Sequence, residues 1–369
     1  MLDKLDEAKE LAALRIQIDD IDQQIQILIN KRAECAQRVA DVKQLAANGK
    51  DVQYYRPERE AQVLRTVMER NTGPLPAEDM AKLFREIMSC CLALEKPMKV
   101  AFLGPEGTYT HAAALKHFGH FVQAQPMAAI DEVFREVESG QANYGVVPVE
   151  NSTEGMVNHT LDSFINSRLF IAGEVKLRIH HHLLSADICD DIKLVKRVYS
   201  HQQSLAQCRK WLDANCPQIE RVAVSSNAEA ARLAKAEKGT VAIAGDMAAE
   251  LYGLIKCAEN IEDQPDNTTR FLIIGSQVIP ASGKDKTSVM VSVKNKPGAL
   301  YHLLEPFHKE NLSLTRIETR PSTSGTWSYV FFIDFEGHID DEKVQRVIRQ
   351  VSPEVVEVKH LGSYPVGVL

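Results

Sequence analysis

Four charged residues fall on or beside helical patterns that are otherwise apolar. Leu11, Leu14, Ile18, Ile21, Ile25 and Leu28, then Cys35, Val39 and Val42, recur at steps of three and four, as expected of one long helix with a buried seam. The next step after Leu28 is Arg32, and Lys43, 11 residues on, points along nearly the same line. A second stripe, Met80, Phe84, Ile87 and Cys91, runs on into Glu95, and Glu58 lies one place off the stripe of the helix between them. A lone Arg at a seam edge would be read as snorkelling to water. Two cations and two carboxylates facing a bundle interior are costly unless they serve one another or a ligand. They suit a small dianion gripped from facing helices. Arg15 lies 17 residues before Arg32, hence about 25 Å away and about a quarter-turn round. One helix cannot bring both to one small molecule, but an antiparallel copy can. A dimer with a shared site is therefore expected.

The middle of the chain offers hydroxyls and amides instead. "GPEGTYTHAAA" (104–114) follows a strand pattern and opens a helix, an arrangement that holds anions, although without G-K-[ST] it is no nucleotide P-loop. "VPVENSTEGMVNHTLD" (147–162) puts Asn151, Ser152 and Thr153 ahead of a helix, where simple capping is the plainer use. "YSHQQSLAQC" (199–208) places Ser200 and Gln207 behind another strand, and "DNTTRF" (266–271) sets Thr268, Thr269 and Arg270 before one. Each fragment alone could be a turn. In "IHHHLL" (179–184), His180 and His182 would share a strand face, but no carboxylate or Cys at ligand spacing accompanies them, so no metal is expected.

The elements that must position these residues fall into three groups. Residues 8–96 read as helices: the first ends near Ala47 at Asn48-Gly49, the second covers about 57–70, and the third runs from near Ala77 to Lys96-Pro97. From Lys99 the short strands "KVAFLG", "NYGVVPVEN", "RVYSH", "RVAVSS", "TVAIAG" and "RFLIIG" alternate with helical stretches, which predicts an α/β region with mainly parallel strands. "SQVIPASGKDKTS" (276–288) is the best linker, and the βαββαβ order after it predicts a ferredoxin-like α+β unit. Domains are expected at 1–97, 98–276 and 287–366. The 369 residues, 44% hydrophobic and 25% charged, suffice for three globular units. A net charge of −7 without a long basic run argues against nucleic-acid binding, and no run of about 18 apolar residues predicts a membrane helix. "MLDKLDEAKE" does not read as a signal peptide, and seven Cys without a C-x-x-C pair suit a reduced, cytoplasmic protein.

These residues also carry resemblances. "LAALR", "NKR", "RPERE" and "LFREIMSCCLALE" resemble the all-helical chorismate mutase domain. That resemblance implies that Arg32, with Arg15 of a partner chain, grips the two carboxylates of chorismate. It implies that Lys43 meets the ether oxygen and a carboxylate, that Glu58 and the backbone near Tyr54 take the ring hydroxyl, and that Cys91 and Glu95 complete the pocket. Glu95 falls where many members carry Gln. A Glu donates only when protonated, so mutase activity should fall as pH rises.

The four central fragments resemble prephenate dehydratase over about 99–276. The resemblance implies two α/β lobes of periplasmic-binding-protein type with substrate in the cleft. It makes Asn151, Ser200, Gln207 and Thr269 active-site residues and Ser152, Thr153 and Arg270 further contacts of prephenate, with no metal or organic cofactor. Thr269 reads as a positioned donor to the departing hydroxide, polarised by Arg270. "KPGALYHLL" (296–304) and "RIETRPS" (316–322) resemble the ACT domain, which implies a phenylalanine pocket of Gly298, Ala299, Leu300, Glu318, Thr319, Arg320 and Pro321.

Together the resemblances cover nearly the whole chain, in the order found in the bifunctional chorismate mutase–prephenate dehydratase family. They imply conversion of chorismate to prephenate and on to phenylpyruvate, inhibited by phenylalanine, in a homodimer or higher homo-oligomer. The residues alone reach a dimeric helical site for a dianion, an α/β cleft enzyme and a βαββαβ module. A non-catalytic sensor of small acids stays open as the alternative. A dehydrogenase does not fit, because no G-x-G-x-x-G follows a strand.

Overall fold

The computed structural model describes residues 4–47, 53–187, 192, 195–294, 296–321 and 329–369, so the Asn48-Gly49 stop signal lies outside the described residues. Helix α1 (Lys4–Ala47) spans 44 residues, about 66 Å at 1.5 Å per residue. Helix α2 (Pro57–Arg70) begins with Pro at its first turn, where the missing N–H costs nothing. Helix α3 (Ala77–Glu95) packs on both. The seam of α1 is largely bare: Leu11 is 48% exposed, Ile18 55% and Leu28 63%.

Two α/β lobes follow. The first comprises β1 (Lys99–Leu103), α4 (Tyr109–Phe118), β2 (Gln123–Met127), α5 (Ile130–Glu138), β3 (Tyr144–Asn151), β4 (Gly155–Met156), α6 (Asn158–Asn166) and β5 (Phe170–Arg178). The second comprises β6 (His182–Ser185), β7 (Arg197–His201), α7 (Gln202–Gln207), α8 (Arg209–Asn215), β8 (Glu220–Val224), α9 (Asn227–Ala236), β9 (Thr240–Ala244), α10 (Asp246–Tyr252) and β10 (Ile255–Ala258). Strand β11 (Thr268–Gly275) then returns to the first sheet, whose order is β2-β1-β3-β11-β5; the second is β10-β6-β9-β7-β8. The chain thus crosses between lobes twice, and the crossings are tied where Ile179 N–H donates to Asn267 C=O at 2.8 Å. The expectation of mainly parallel strands is corrected. β1 pairs in parallel with β2 and β3, and β7 with β8 and β9, but β11 runs antiparallel to β3 and β5, and β6 to β9 and β10. Those strands arrive from the other lobe or from an edge rather than through a local βαβ crossover, and apolar pattern carries no direction.

The last unit is β12 (Asp285–Val293), α11 (Ala299–Lys309), β13 (Leu314–Pro321), β14 (Tyr329–Glu336), α12 (Glu342–Val351) and β15 (Glu357–Pro365), a sheet of order β13-β14-β12-β15. Val289, Val291, Ile333 and Phe335 meet the helices through Leu303, Phe307 and Val347. The other sheet face joins the first lobe, with Met290, Phe332, Leu361 and Tyr364 in one cluster with Leu272 and Ile274. Gly362 (φ 148°) permits this contact, since a Cβ there would strike the backbone of Ile171. The helical unit docks on the other side through Tyr55, Leu92 and Met98 against Phe118 and Tyr144.

Candidate active sites

In the helical unit, α1 carries Arg32 and Lys43 to the end of α3 that bears Glu95. The Lys43 ammonium donates to the carbonyls of Gln53 (3.3 Å) and Tyr54 (3.2 Å) and stands 5.9 Å from the Tyr54 ring centroid. Burial pushes the Glu95 carboxyl above its usual range, against the opposing pull of Lys43 and then Arg32, and its Oε2 is buried without a hydrogen-bond partner. Cys91 is buried one turn before it. Glu58, also buried, accepts from Arg56 Nε at 2.5 Å. Lys43 and Glu58 share a cavity of about 460 Å³ whose far wall is Gln277–Pro280, from the segment after β11. Arg15 is exposed and lies on a turn of α1 that the fold of one chain does not bring to this pocket.

The second site lies between the lobes, in a cavity of about 250 Å³ lined by Asn151, Thr269, Gln207, His181 and Tyr109 among others. Its polar groups form a directed chain. His181 Nε2 lies 2.8 Å from Gln207 Oε1, Gln207 Nε2 donates to Thr153 Oγ1 (3.1 Å), and Thr153 Oγ1 donates to Asn151 Oδ1 (2.6 Å). Asn151 Nδ2 then donates to Thr269 Oγ1 at 2.7 Å. The backbone N–H groups of Thr153 and Glu154 also donate to Asn151 Oδ1, which fixes the orientation of the amide. Asn151–Thr153 are therefore not helix caps, and α6 starts only at Asn158. Tyr109 Oη reaches across the cleft to His181 Nδ1 at 2.8 Å. Burial lowers the pKa of His181, so the ring is neutral near pH 7. Gly245 lies against the Tyr109 ring so closely that a Cβ would meet it at 2.7 Å.

Three family models match in series: "Chorismate mutase type II" over residues 14–96, "Prephenate dehydratase" over 100–278, and "ACT domain" over 287–353. A bifunctional chorismate mutase/prephenate dehydratase of Stutzerimonas stutzeri is 62% identical over 366 residues, 99% of this chain and 100% of that protein. Its counterpart in Pseudomonas aeruginosa is 61% identical over 361 residues, 98% of this chain and 99% of that protein. The chain belongs to the bifunctional chorismate mutase/prephenate dehydratase family. Among solved structures, prephenate dehydratase from Arthrobacter aurescens in complex with L-Phe matches with a TM-score of 0.67 at 32% identity, covering 73% of this chain and 90% of that one.

Three dehydratase expectations change on the structure. Arg270 does not reach the cleft and cannot polarise Thr269. Its guanidinium is buried on the opposite face of β11, against Glu174 (2.8 Å) and Asp334 (2.7 Å). Ser200 is fully buried behind the site, within 3.0 Å of the Asn227 side-chain oxygen and 2.9 Å of the Ile243 carbonyl, so it braces Asn227 rather than facing the cavity. Ser152 ties its loop to β11, its Oγ accepting from Thr268 N–H at 2.9 Å. The sequence did not single out Tyr109, Asn227 or Asn267, and of three histidines it considered only the outer two, as a metal pair that it set aside. His180 meets Glu262 (3.0 Å) and His182 meets Asp246 (3.2 Å), while the middle one, His181, turns into the cleft. Only its place in a histidine run could have drawn attention to it.

In the ACT unit, Gly298 (φ 80°) caps α11, followed by Ala299 and Leu300. Val293 and Pro321 both pair with Tyr329, so the loop bearing Gly298 and the end of β13 sit at the same end of the sheet. Thr319 and Pro321 are exposed. Arg320 instead spans both carboxylate oxygens of Asp162 in α6, at 2.7 and 2.8 Å, and Glu318 lies 3.9 Å from Arg316.

Proposed function

We propose that Arg32, Lys43, Glu58 and Glu95, with Arg15 of a second copy, bind chorismate, and that the cleft holding Thr269 and Asn151 binds prephenate. The chain performs both reactions of its family, chorismate to prephenate and prephenate to phenylpyruvate, under feedback by phenylalanine. The first is a unimolecular pericyclic shift that needs neither nucleophile nor proton transfer. The protein contributes by fixing the folded conformer and stabilising charge on the ether oxygen as its bond breaks. Lys43 is one donor there, and a protonated Glu95 is the other.

In the second reaction the bond from the ring to its carboxylate breaks, its electron pair enters the ring, and the ring hydroxyl leaves as water once it has taken a proton. The observation that carries the assignment is the chain from His181 to Thr269. Asn151 donates to Thr269 Oγ1, so the threonine proton is free to point at the departing hydroxyl. The N-termini of α4, at Thr108–Thr110, and of α9, at Ser226–Asn227, also line this cleft, and the positive ends of these helices suit the two carboxylates of prephenate without any arginine.

The test gives the purified protein chorismate in the presence of a chelator and follows prephenate and phenylpyruvate, with and without phenylalanine. Phenylpyruvate that phenylalanine suppresses is expected. Thr269→Ala should then accumulate prephenate, with dehydratase turnover down about 100-fold or more. Phenylpyruvate formed at the wild-type rate by that variant would remove Thr269 from the chemistry.

A further inference from the structure

Strands β3 and β11 lie side by side, and two successive rungs of their ladder face opposite ways. Thr269 pairs with Asn151, and both side chains enter the cleft. The next rung, Arg270 opposite Glu150, points at the ACT unit instead. Arg270 Nη1 meets Asp334 of β14 at 2.7 Å, Nη2 meets the Tyr364 hydroxyl of β15 at 3.0 Å, and Nε meets Glu174 of β5 at 2.8 Å. Ser288 and Lys286 of β12 complete the cluster, donating to Asp334 (2.6 Å) and Glu174 (2.7 Å). Arg270, Glu174 and Asp334 are each more than nine-tenths buried. Glu150 is held by Arg316 of β13 at 2.9 Å, on the strand that ends in Thr319–Pro321.

We propose that this rung positions the catalytic one: the ACT sheet grips Arg270 and Glu150, and through them sets the spacing of Thr269 and Asn151. Removing one partner from a buried, hydrogen-bonded charge cluster is costly, so a shift of the ACT sheet carries Arg270 with it. The neighbouring Thr269 hydroxyl then moves relative to Asn151, and a misplacement of about 1 Å costs a large factor in rate. Phenylalanine held at the end of β13 would act on dehydration through the same two grips. Arg270 and Glu150 are thus positioning residues, not substrate contacts. The inference rests on the cleft being the dehydratase site.

The test uses the full-length protein with Asp334→Asn or Arg316→Met and reads prephenate kcat and KM, phenylalanine inhibition, phenylalanine binding by calorimetry, and mutase turnover. Expected is a kcat lower by about 10- to 100-fold with KM changed by less than about twofold. Phenylalanine still binds but inhibits less, and mutase turnover stays at wild type. The swap Glu150→Arg with Arg316→Glu should recover turnover and inhibition that Arg316→Glu alone loses. Should Asp334→Asn cost the ACT unit its fold, seen as lost phenylalanine binding, Arg316→Met and the swap decide. Wild-type kcat and inhibition in Arg316→Met, with Thr269→Ala inactive, would overturn the inference. An active Thr269→Ala would instead overturn the cleft assignment on which it rests.

Discussion

Glu95 can donate to an ether oxygen in only one of its two protonation states. Burial raises its pKa against Lys43 and Arg32, so the donor form is present below that raised value and is lost as pH climbs through it. Mutase kcat should decline toward alkaline pH, and Glu95→Gln should give a flat profile; a declining profile in the variant would remove Glu95 from the chemistry. Glu60 shows the same physics at the seam between the helical unit and the first lobe. Its carboxyl is pushed up to about 7 by burial, although Arg85 stands 3.4 Å away. A folded value above the unfolded one means stability that is full at acid pH and lost as pH rises from about 4.5 through about 7. Relative to Glu60→Gln, the wild type is therefore expected to lose about 2–3 kcal/mol between pH 5 and pH 8, read by thermal unfolding at both.

At the scale of elements, two close approaches decide whether the parts fit. Strand β15 lies on β5 because Gly362 has no side chain to strike Ile171. Gly362→Ala should cost about 1–3 kcal/mol, visible as a lower Tm and faster proteolysis near residues 276–284. That segment is pinned by Arg65 of α2, which donates to the carbonyls of Ser282 (3.2 Å) and Lys284 (2.8 Å), and by His338, 2.9 Å from the Ile279 carbonyl. Helix α10 approaches α4 at Gly245, where a Cβ would push the Tyr109 ring. Gly245→Ala should draw the Tyr109 hydroxyl off His181 and reduce dehydration about tenfold while mutase turnover is retained. Equal loss of both activities would point to general unfolding instead.

For the whole molecule, α1 is the informative element. A helix of 44 residues that exposes Leu14, Ile21 and Ile25 at about half their surface suits a partner along its seam, and the partner we propose is a second copy. An antiparallel copy would cover the seam and bring Arg15 beside Arg32 of the other chain. Arg15→Ala and Arg32→Ala should each abolish mutase activity as homodimers. Unfolded and refolded together, they should form heterodimers in which one of two sites is intact. Recovered activity would establish the shared site, whereas none would place both arginines in a single-chain pocket.

The helical spacing by itself determined that Arg32 and Lys43 lie along one line of α1 and that Glu95 continues the stripe of α3, because a helix converts sequence separation directly into direction and height; only the packing of α3 on α1 brought Glu95 to them. It also determined that Arg15 and Arg32 are too far apart to meet on one rod, which is the reason a second copy is expected there. The order of strands and helices delimited an α/β region and a βαββαβ unit. Strand direction was beyond it: β11 and β6 owe theirs to crossings between lobes that no local pattern records. The sequence set Thr269 and Arg270 side by side as partners in one site, and only the structure showed that both lie within β11 on opposite faces, with Arg270 claimed by an ion cluster under the ACT sheet. The three histidines make the same point. Alternation grouped His180 with His182, yet Glu262 and Asp246, brought from far along the chain, claim those two, and the cleft is left with His181. Local periodicity tells which residues share a face; what that face meets is set by contacts between segments distant in sequence, and these exist only once the chain has packed.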